Sequence, residues 1–362
     1  MENEGKEDYL IPNYQRSPVK FVRGQGSTLV DSDDNKYLDC LSGIAVCGLG
    51  HAHPELAHVL SEQAKNLWHT SNLYRVELQE NLASSLSEIT KQKRVFFCNS
   101  GAEANEAAIK LAKKYGNDKG IKAPIIVTMN GSFHGRTMAT LSATGNPKVH
   151  SGFSPLLQGL KHIDYDSVEE AARTIQARDV VAVLVEPIQG EGGIVVPEKG
   201  YLSKLRKLCN ETDTLLMLDE VQTGIGRTGE WFAFQAEGIE PDVLTIAKGL
   251  GNGIPIGACL AKGAAGNVLT PGTHGSTFGG NPLVARVALK VLEIIEREGL
   301  LERARHLGDW IRYQFKEKLE SLAGIIEIRG RGLMIGIELD RPCAEIVEVA
   351  LKEKLLVNVA SG

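Results

Sequence analysis

Two apolar runs in the middle of the chain each end on a charged residue. Thr214-Leu-Leu-Met-Leu-Asp-Glu-Val-Gln222 places an acid, Asp219, at the end of a strand-like run. Asp242-Val-Leu-Thr-Ile-Ala-Lys-Gly249 places Lys248 at the end of the next. A lysine amine there can condense with an aldehyde, and a carboxylate there can hold a proton on a ring nitrogen. Taken singly, the acid also reads as a helix cap and the lysine as a solvated terminus.

A third group gives the pair weight. Val95-Phe-Phe-Cys98 reads as a short buried strand, and Asn99-Ser-Gly-Ala-Glu-Ala-Asn105 then opens a helical pattern through Glu106–Lys114. Ser100 and Gly101 fall where the first free N–H groups of that helix point outward, a ready anion site. The same residues also read as an ordinary cap with nothing bound. A lysine, an acid and an anion site on one framework are the minimum needed to bind pyridoxal phosphate and use it as an electron sink.

The framework is legible as alternating elements. Buried strands are expected at Val95–Cys98, Pro124–Met129, Val180–Glu186, Thr214–Asp219, Val243–Ala247 and Ile256–Ala261. Helical patterns lie between several of them, for example Val168–Gln176 and Tyr201–Thr212. Continuous apolar strands alternating with helices imply an α/β fold with a mostly parallel sheet covered on both faces. Ligands of such sheets bind beyond the strand carboxyl ends, where Asp219 and Lys248 both fall. Ser27–Asp39 reads as a hairpin around an Asp/Asn turn. After Pro282 the pattern changes to long amphipathic helices (Leu283–Arg297, Leu300–Leu322), two strands within Ile325–Leu339 and a helix over Cys343–Lys354. That is a smaller α+β layer.

At 362 residues, two domains are the expectation. A net charge of −5 without a long basic run argues against nucleic acid or an anionic membrane as partner. No apolar stretch approaches a membrane span, and Met1–Asp8 is acidic without an apolar signal core. A soluble, cytoplasmic protein is expected. The six cysteines form no CxxC pair, and most read as small buried hydrophobes. His51 and His53 lack a nearby ligand set, so no metal is expected. Gly224-Ile-Gly-Arg-Thr-Gly229 matches the dinucleotide fingerprint, but no convincing crossover helix follows it.

Ordered motifs carry a resemblance across nearly the whole chain. They are Ser42–Pro54, Asn99–Asn105, Phe133-His-Gly-Arg-Thr-Met-Ala-Thr140, Glu186-Pro-Ile-Gln-Gly-Glu-Gly-Gly193, Leu218–Gly229, Ala247–Gly253 and Ser276-Thr-Phe-Gly-Gly-Asn-Pro282. The chain resembles class III pyridoxal-phosphate aminotransferases of fold type I, most of all the members that act on acetylornithine. The resemblance implies a small domain built from residues 1–50 and 282–362, the latter truncated, around a large cofactor-binding domain at 51–281. It implies that Lys248 holds the cofactor covalently and then serves as general base, and that Asp219 pairs with the ring nitrogen. Ser100, Gly101 and Ala102 would bind the phosphate. Phe133 and Val221 would close the two ring faces, with Glu220 beside them and Gln222 on the phenolic oxygen. Thr277 would reach the phosphate of a second subunit, which implies a homodimer with shared sites. Arg136 would fork the substrate carboxylate beside Ser276, with Tyr14 assisting and Glu186 in support.

Glu191 matches a glutamate that, in ornithine-type members, pairs with an arginine from a segment following Val357-Asn-Val359. The sequence ends at Gly362, so a weakened glutamate half-reaction is expected. The implied reaction is reversible transfer of the δ-amino group of N2-acetylornithine to 2-oxoglutarate, giving N-acetylglutamate 5-semialdehyde and glutamate in arginine biosynthesis. Ornithine, succinylornithine, succinyldiaminopimelate and 4-aminobutyrate remain alternative donors. An intramolecular amine shift and a catalytically weakened cofactor-binding product are the readings from other classes.

Overall fold

Leu215–Asp219 and Val243–Ile246 lie side by side as parallel strands, with Asp219 opposite Thr245. The computed structural model describes residues 9–361; Met1–Asp8, read above for a signal core, and Gly362 lie outside the described residues.

The chain opens with an antiparallel meander, β1 (Phe21–Gln25), β2 (Thr28–Asp31) and β3 (Lys36–Asp39). Its β2–β3 turn is the expected Asp/Asn hairpin, tied by Asp31, which accepts from the Asp33 and Asn35 amides at 2.9 Å each. A tight turn, α1 (Ser42–Ala45), and two helices, α2 (Pro54–Ala64) and α3 (Glu77–Thr90), follow.

The central sheet comprises β4 (Arg94–Cys98), β5 (Ile125–Met129), β6 (Leu160–Ile163), β7 (Val180–Val185), β8 (Leu215–Asp219), β9 (Val243–Ile246) and β10 (Gly257–Ala261). Their spatial order is β4-β10-β9-β8-β7-β5-β6. Between them run α4 (Gly101–Asp118), α5 (Met138–Ala143), α6 (Pro147–His150), α7 (Val168–Ile175) and α8 (Tyr201–Glu211). Every residue of β7, Val-Val-Ala-Val-Leu-Val, is buried, as a strand covered on both faces must be. β10 runs antiparallel to both neighbours. The segment joining it to β9 is too short for a helical crossover, so β10 can only return antiparallel. β6, a short edge strand of mixed polarity, was not expected from the sequence.

The last part holds α9 (Pro282–Arg297), α10 (Leu300–Leu319), the hairpin β11 (Ile325–Arg331) and β12 (Met334–Leu339), α11 (Glu345–Lys352) and β13 (Leu355–Leu356). Asn281 caps α9 by accepting from the Val284 amide at 3.1 Å, and Pro282 supplies a preset first turn. The buried stripe of α9 shares one core with Leu56 of α2 and Leu82 and Leu86 of α3. It therefore binds the C-terminal elements to the sheet domain. β13 pairs in parallel with β3, joining the two ends of the chain in one sheet.

Candidate active site

The carboxyl ends of β4, β5, β7, β8 and β9 all deliver side chains to one edge of the sheet. Asp219 closes β8 and is only 4% exposed. Its Oδ2 accepts from Asn105 Nδ2 at 2.7 Å and from His134 Nδ1 at 2.8 Å, and its Oδ1 accepts from the Val221 amide at 3.0 Å. Asn105 is itself held by the Thr245 hydroxyl at 2.7 Å, and it also donates to the His134 carbonyl at 2.9 Å. Asp219 is thus fixed in position by donors from three elements. Hydrogen bonds of this kind to a charged acceptor are the stronger ones.

Lys248 follows β9 in a short 3₁₀ turn, with φ at +42°. A non-glycine residue there stores about 1–3 kcal/mol of strain, which the packed strands must sustain. Its amine makes no hydrogen bond or ion pair among the described residues. Burial pushes that amine below the ordinary lysine range, against the pull of Glu191, Asp219 and Glu186 and with a smaller push from Arg227. A lysine eased toward its neutral form is a nucleophile and a base.

The N-terminus of α4 lies beside this pair. Ser100 Oγ accepts from the Glu103 amide at 3.2 Å, and Glu103 in turn accepts from the Asn99 amide at 2.5 Å. The amides of Gly101 and Ala102 find no backbone acceptor among the described residues. A Cβ at Gly101 would meet Val221 Cγ1 at 2.7 Å, so only glycine lets the helix end approach that side chain. Val221 therefore packs its side chain on the start of α4 while its amide holds Asp219.

Phe133 and Arg136 come from the loop after β5. The Phe133 amide donates to Glu186 Oε1 at 3.3 Å, and the Arg136 guanidinium carbon lies 5.4 Å over the Phe133 ring. Arg136 is exposed and has no acidic partner among the described residues. Glu186 is buried, and burial, followed by the nearby Asp219, holds its carboxyl well above the usual range. Its Oε2 and the Nε2 of His134 are buried without a partner among the described residues. The Gln222 side chain lies against the backbone of Gly190, next to Glu191.

Four expected residues lie outside this cluster, among them Thr277, which was expected to serve a second subunit. Glu220 is turned away from the cluster: its carboxylate accepts from Thr223 Oγ1 (2.8 Å) and from the amides of Ala233 (2.8 Å) and Phe234 (2.9 Å). Successive side chains along an extended chain alternate sides, so Asp219 and Val221 face the site and Glu220 cannot. Ser276 Oγ accepts from the Gly279 amide at 3.0 Å and from Asn99 Nδ2 at 3.4 Å, which seats it by the start of α4 rather than beside Arg136. Thr277 is exposed on the same loop, alongside the edge strand β4. Tyr14 is 72% exposed and touches none of the cluster in the hydrogen bonds of the described residues.

His134 and Asn105 were quoted within motifs but carried no assigned role. Asn105 is four residues after Gly101, one turn along the same face of α4, and that spacing was the available signal. His134, Glu186 and Asp219 each offer a ligand atom within 4.8 Å of the others. Both Asp219 oxygens already accept hydrogen bonds, and of the trio only His134 and Asp219 are bonded to each other; Glu186 is held by the Phe133 amide. The Gly224–Gly229 run forms turns leading to a 3₁₀ segment, Ala233–Glu237, with no crossover helix.

Pyridoxal phosphate fits this donor set. Free amides at the start of α4 suit its phosphate, the anchored Asp219 its ring nitrogen, and the unpaired Lys248 amine its aldehyde.

A model of the aminotransferase class-III family matches residues 9–361. The acetylornithine aminotransferase of Nitrosomonas europaea is 54% identical over 355 residues, covering 98% of this chain and 90% of the relative. Among solved structures, an ornithine aminotransferase from Toxoplasma gondii, described with partial occupancy of PLP at its active site, superposes with a TM-score of 0.95. It is 35% identical, and the match covers 98% of this chain and 85% of that one. The N-acetylornithine aminotransferase of Stenotrophomonas maltophilia K279a gives a TM-score of 0.83 at 37% identity, covering 96% and 88%.

Proposed function

The chain belongs to the class-III aminotransferases, and on that footing we propose that its site carries an amino group from N2-acetylornithine to 2-oxoglutarate. The δ-carbon of the donor loses its nitrogen and becomes the aldehyde of N-acetylglutamate 5-semialdehyde; 2-oxoglutarate gains it and becomes glutamate. The observation that carries this reading is the Lys248 amine, without a hydrogen bond or ion pair among the described residues, at the end of the strand next to that of a thrice-anchored Asp219.

Bound there, pyridoxal phosphate supplies an aldehyde carbon that takes up amines and a ring that accepts electron density. Lys248 holds the cofactor through its ε-nitrogen. Once released, it moves the proton at the donor carbon that bears nitrogen. Asp219 keeps a proton on the ring nitrogen, and His134 and Asn105 keep Asp219 from rotating away. The Gly101 and Ala102 amides, with Ser100, hold the phosphate. Val221 and Phe133 would close the two faces of the bound ring, and Gln222 would donate to its phenolic oxygen. Arg136, exposed and unpaired, forks the substrate carboxylate.

The working unit in this reading is a homodimer in the cytoplasm. Thr277 is exposed, and its loop receives a hydrogen bond from Asn72 to the Ser276 carbonyl at 3.0 Å. The neighbouring Trp68 and Leu73 are 63% and 89% exposed. An apolar patch continuous with a site residue suits a second copy of the chain. Of the division into 1–50 with 282–362 and 51–281, the described residues 9–50 and 282–361 are read as the smaller unit, which the pairing of β13 with β3 supports.

An amino-donor panel on cofactor-loaded protein tests the function. Beyond one equivalent per site, acetylornithine should be consumed only with 2-oxoglutarate present, one glutamate appearing per semialdehyde. Turnover without 2-oxoglutarate, or none with acetylornithine, refutes the reading.

A further inference from the structure

Arg329 and Gly336 lie directly opposite each other on the β11–β12 hairpin. Together they form a seat for the loop Gly190–Ile194, which carries Glu191. Arg329 donates from Nη2 to the Gly193 carbonyl at 2.8 Å and from Nε to the Ile194 carbonyl at 3.0 Å. Its third nitrogen is held by Glu327 at 2.7 Å and by Glu338. With both acids taking one side of the fork, the guanidinium is fixed and presents its other side to two successive carbonyls. Gly336 completes the seat: a Cβ there would meet Ile194 Cβ at 3.1 Å and the Gly193 oxygen at 3.2 Å. The far end of the loop is tied down separately, by the two-way pairing of Gln189 with Val195. Glu191 lies between these anchors, beside Gly190, whose backbone packs against the Gln222 side chain, and its charge favours the protonated Lys248 amine.

We propose that Arg329 is a positioning residue. Through its fork on the Gly193 and Ile194 carbonyls, the β11–β12 hairpin sets the placement of Glu191 relative to Lys248, and so the balance between the two amino donors. This rests on the role proposed above for Lys248 and on the one that the resemblance gives Glu191. Displacing the loop moves Gly190 against the Gln222 side chain, and with it the adjacent Glu191 carboxylate. The two donors, acetylornithine and glutamate, differ in charge beyond the transferred nitrogen, so moving that carboxylate affects them unequally.

The test uses the cofactor-loaded enzyme and single-turnover rates with acetylornithine and with glutamate, compared as a ratio. Arg329→Met removes the fork. Gly336→Ala crowds the loop from the same seat without removing any hydrogen bond, and serves where Arg329→Met folds poorly. Both should keep the bound-cofactor absorbance and shift the ratio about fivefold, the scale of one partly solvated charge pair. The shift should run in the direction produced by Glu191→Gln. Arg329→Lys should shift it less. Adding Arg329→Met to Glu191→Gln should change nothing further, because both act on one carboxylate. An unmoved ratio in Arg329→Met and Gly336→Ala, or shifts that add in the double variant, overturns the proposal alone. A wild-type chain that holds no cofactor at Lys248 overturns the proposed function and this inference together.

Discussion

His134 Nδ1 lies 2.8 Å from Asp219 Oδ2, and the ring is buried. That contact fixes the proton on Nδ1 and leaves the carboxylate oriented by a side chain from a different strand–loop unit. Losing one such hydrogen bond to a buried charged group costs about 1.5–3 kcal/mol. His134→Ala should therefore lower kcat at least about tenfold while the protein still takes up cofactor. Steady-state kcat, with cofactor absorbance as the control, checks this. Unchanged kcat would mean that Asp219 needs no orienting partner.

Gly101→Ala should weaken cofactor retention, because its methyl group would overlap Val221 Cγ1 at 2.7 Å and Cγ2 at 2.9 Å. The helix end or the valine must give way, and the amides of Gly101 and Ala102 move with it. A rise of about tenfold in the apparent Kd for pyridoxal phosphate is expected, equivalent to about 1.4 kcal/mol. Combining it with Val221→Ala should recover part of the loss. Cofactor titration of the single and double variants separates crowding from a general folding defect.

Arg136→Lys keeps the charge and loses the planar fork. The KM for acetylornithine should rise about tenfold or more, with a smaller change in kcat. A change confined to kcat would instead place Arg136 outside substrate binding.

Glu220 makes a pH prediction. Burial raises its carboxyl from 4.5 to about 7, despite the donors Ala233, Phe234 and Thr223. Between those values the folded chain keeps a proton that the unfolded chain has released, so stability falls as pH rises through the window. The contribution is about 3 kcal/mol at most. Glu220→Gln lacks this ionisation. The wild-type advantage over Glu220→Gln in urea midpoint should shrink from pH 4.5 to pH 7 and level off above. An advantage that grows over that range would show the three donors outweighing burial.

The acid and lysine at the ends of β8 and β9 were legible because nearly every preceding position is apolar, and a buried strand leaves few places for charge. The start of α4 was legible from Ser100 and Gly101 for a similar reason: a cap and a small residue follow a strand directly. The resemblance placed Glu220 with the cofactor-binding residues, and side-chain alternation puts it on the other side. The anchoring of Asp219 by Asn105 and His134 was not legible, since it depends on α4 and the loop after β5 meeting across the sheet. β6 was missed because Leu160-Lys-His-Ile163 is an edge strand, where one face is wet and the apolar run breaks. The seating of Glu191's loop by Arg329 joins residues more than a hundred positions apart, beyond any local pattern.

The central claim is a covalent link between the Lys248 ε-nitrogen and the cofactor aldehyde. Borohydride reduction of cofactor-loaded protein, followed by peptide mass spectrometry, tests it directly. The account predicts the pyridoxyl label on Lys248 and its loss in Lys248→Ala. A label on another lysine, or none on protein that has demonstrably taken up cofactor, would contradict it.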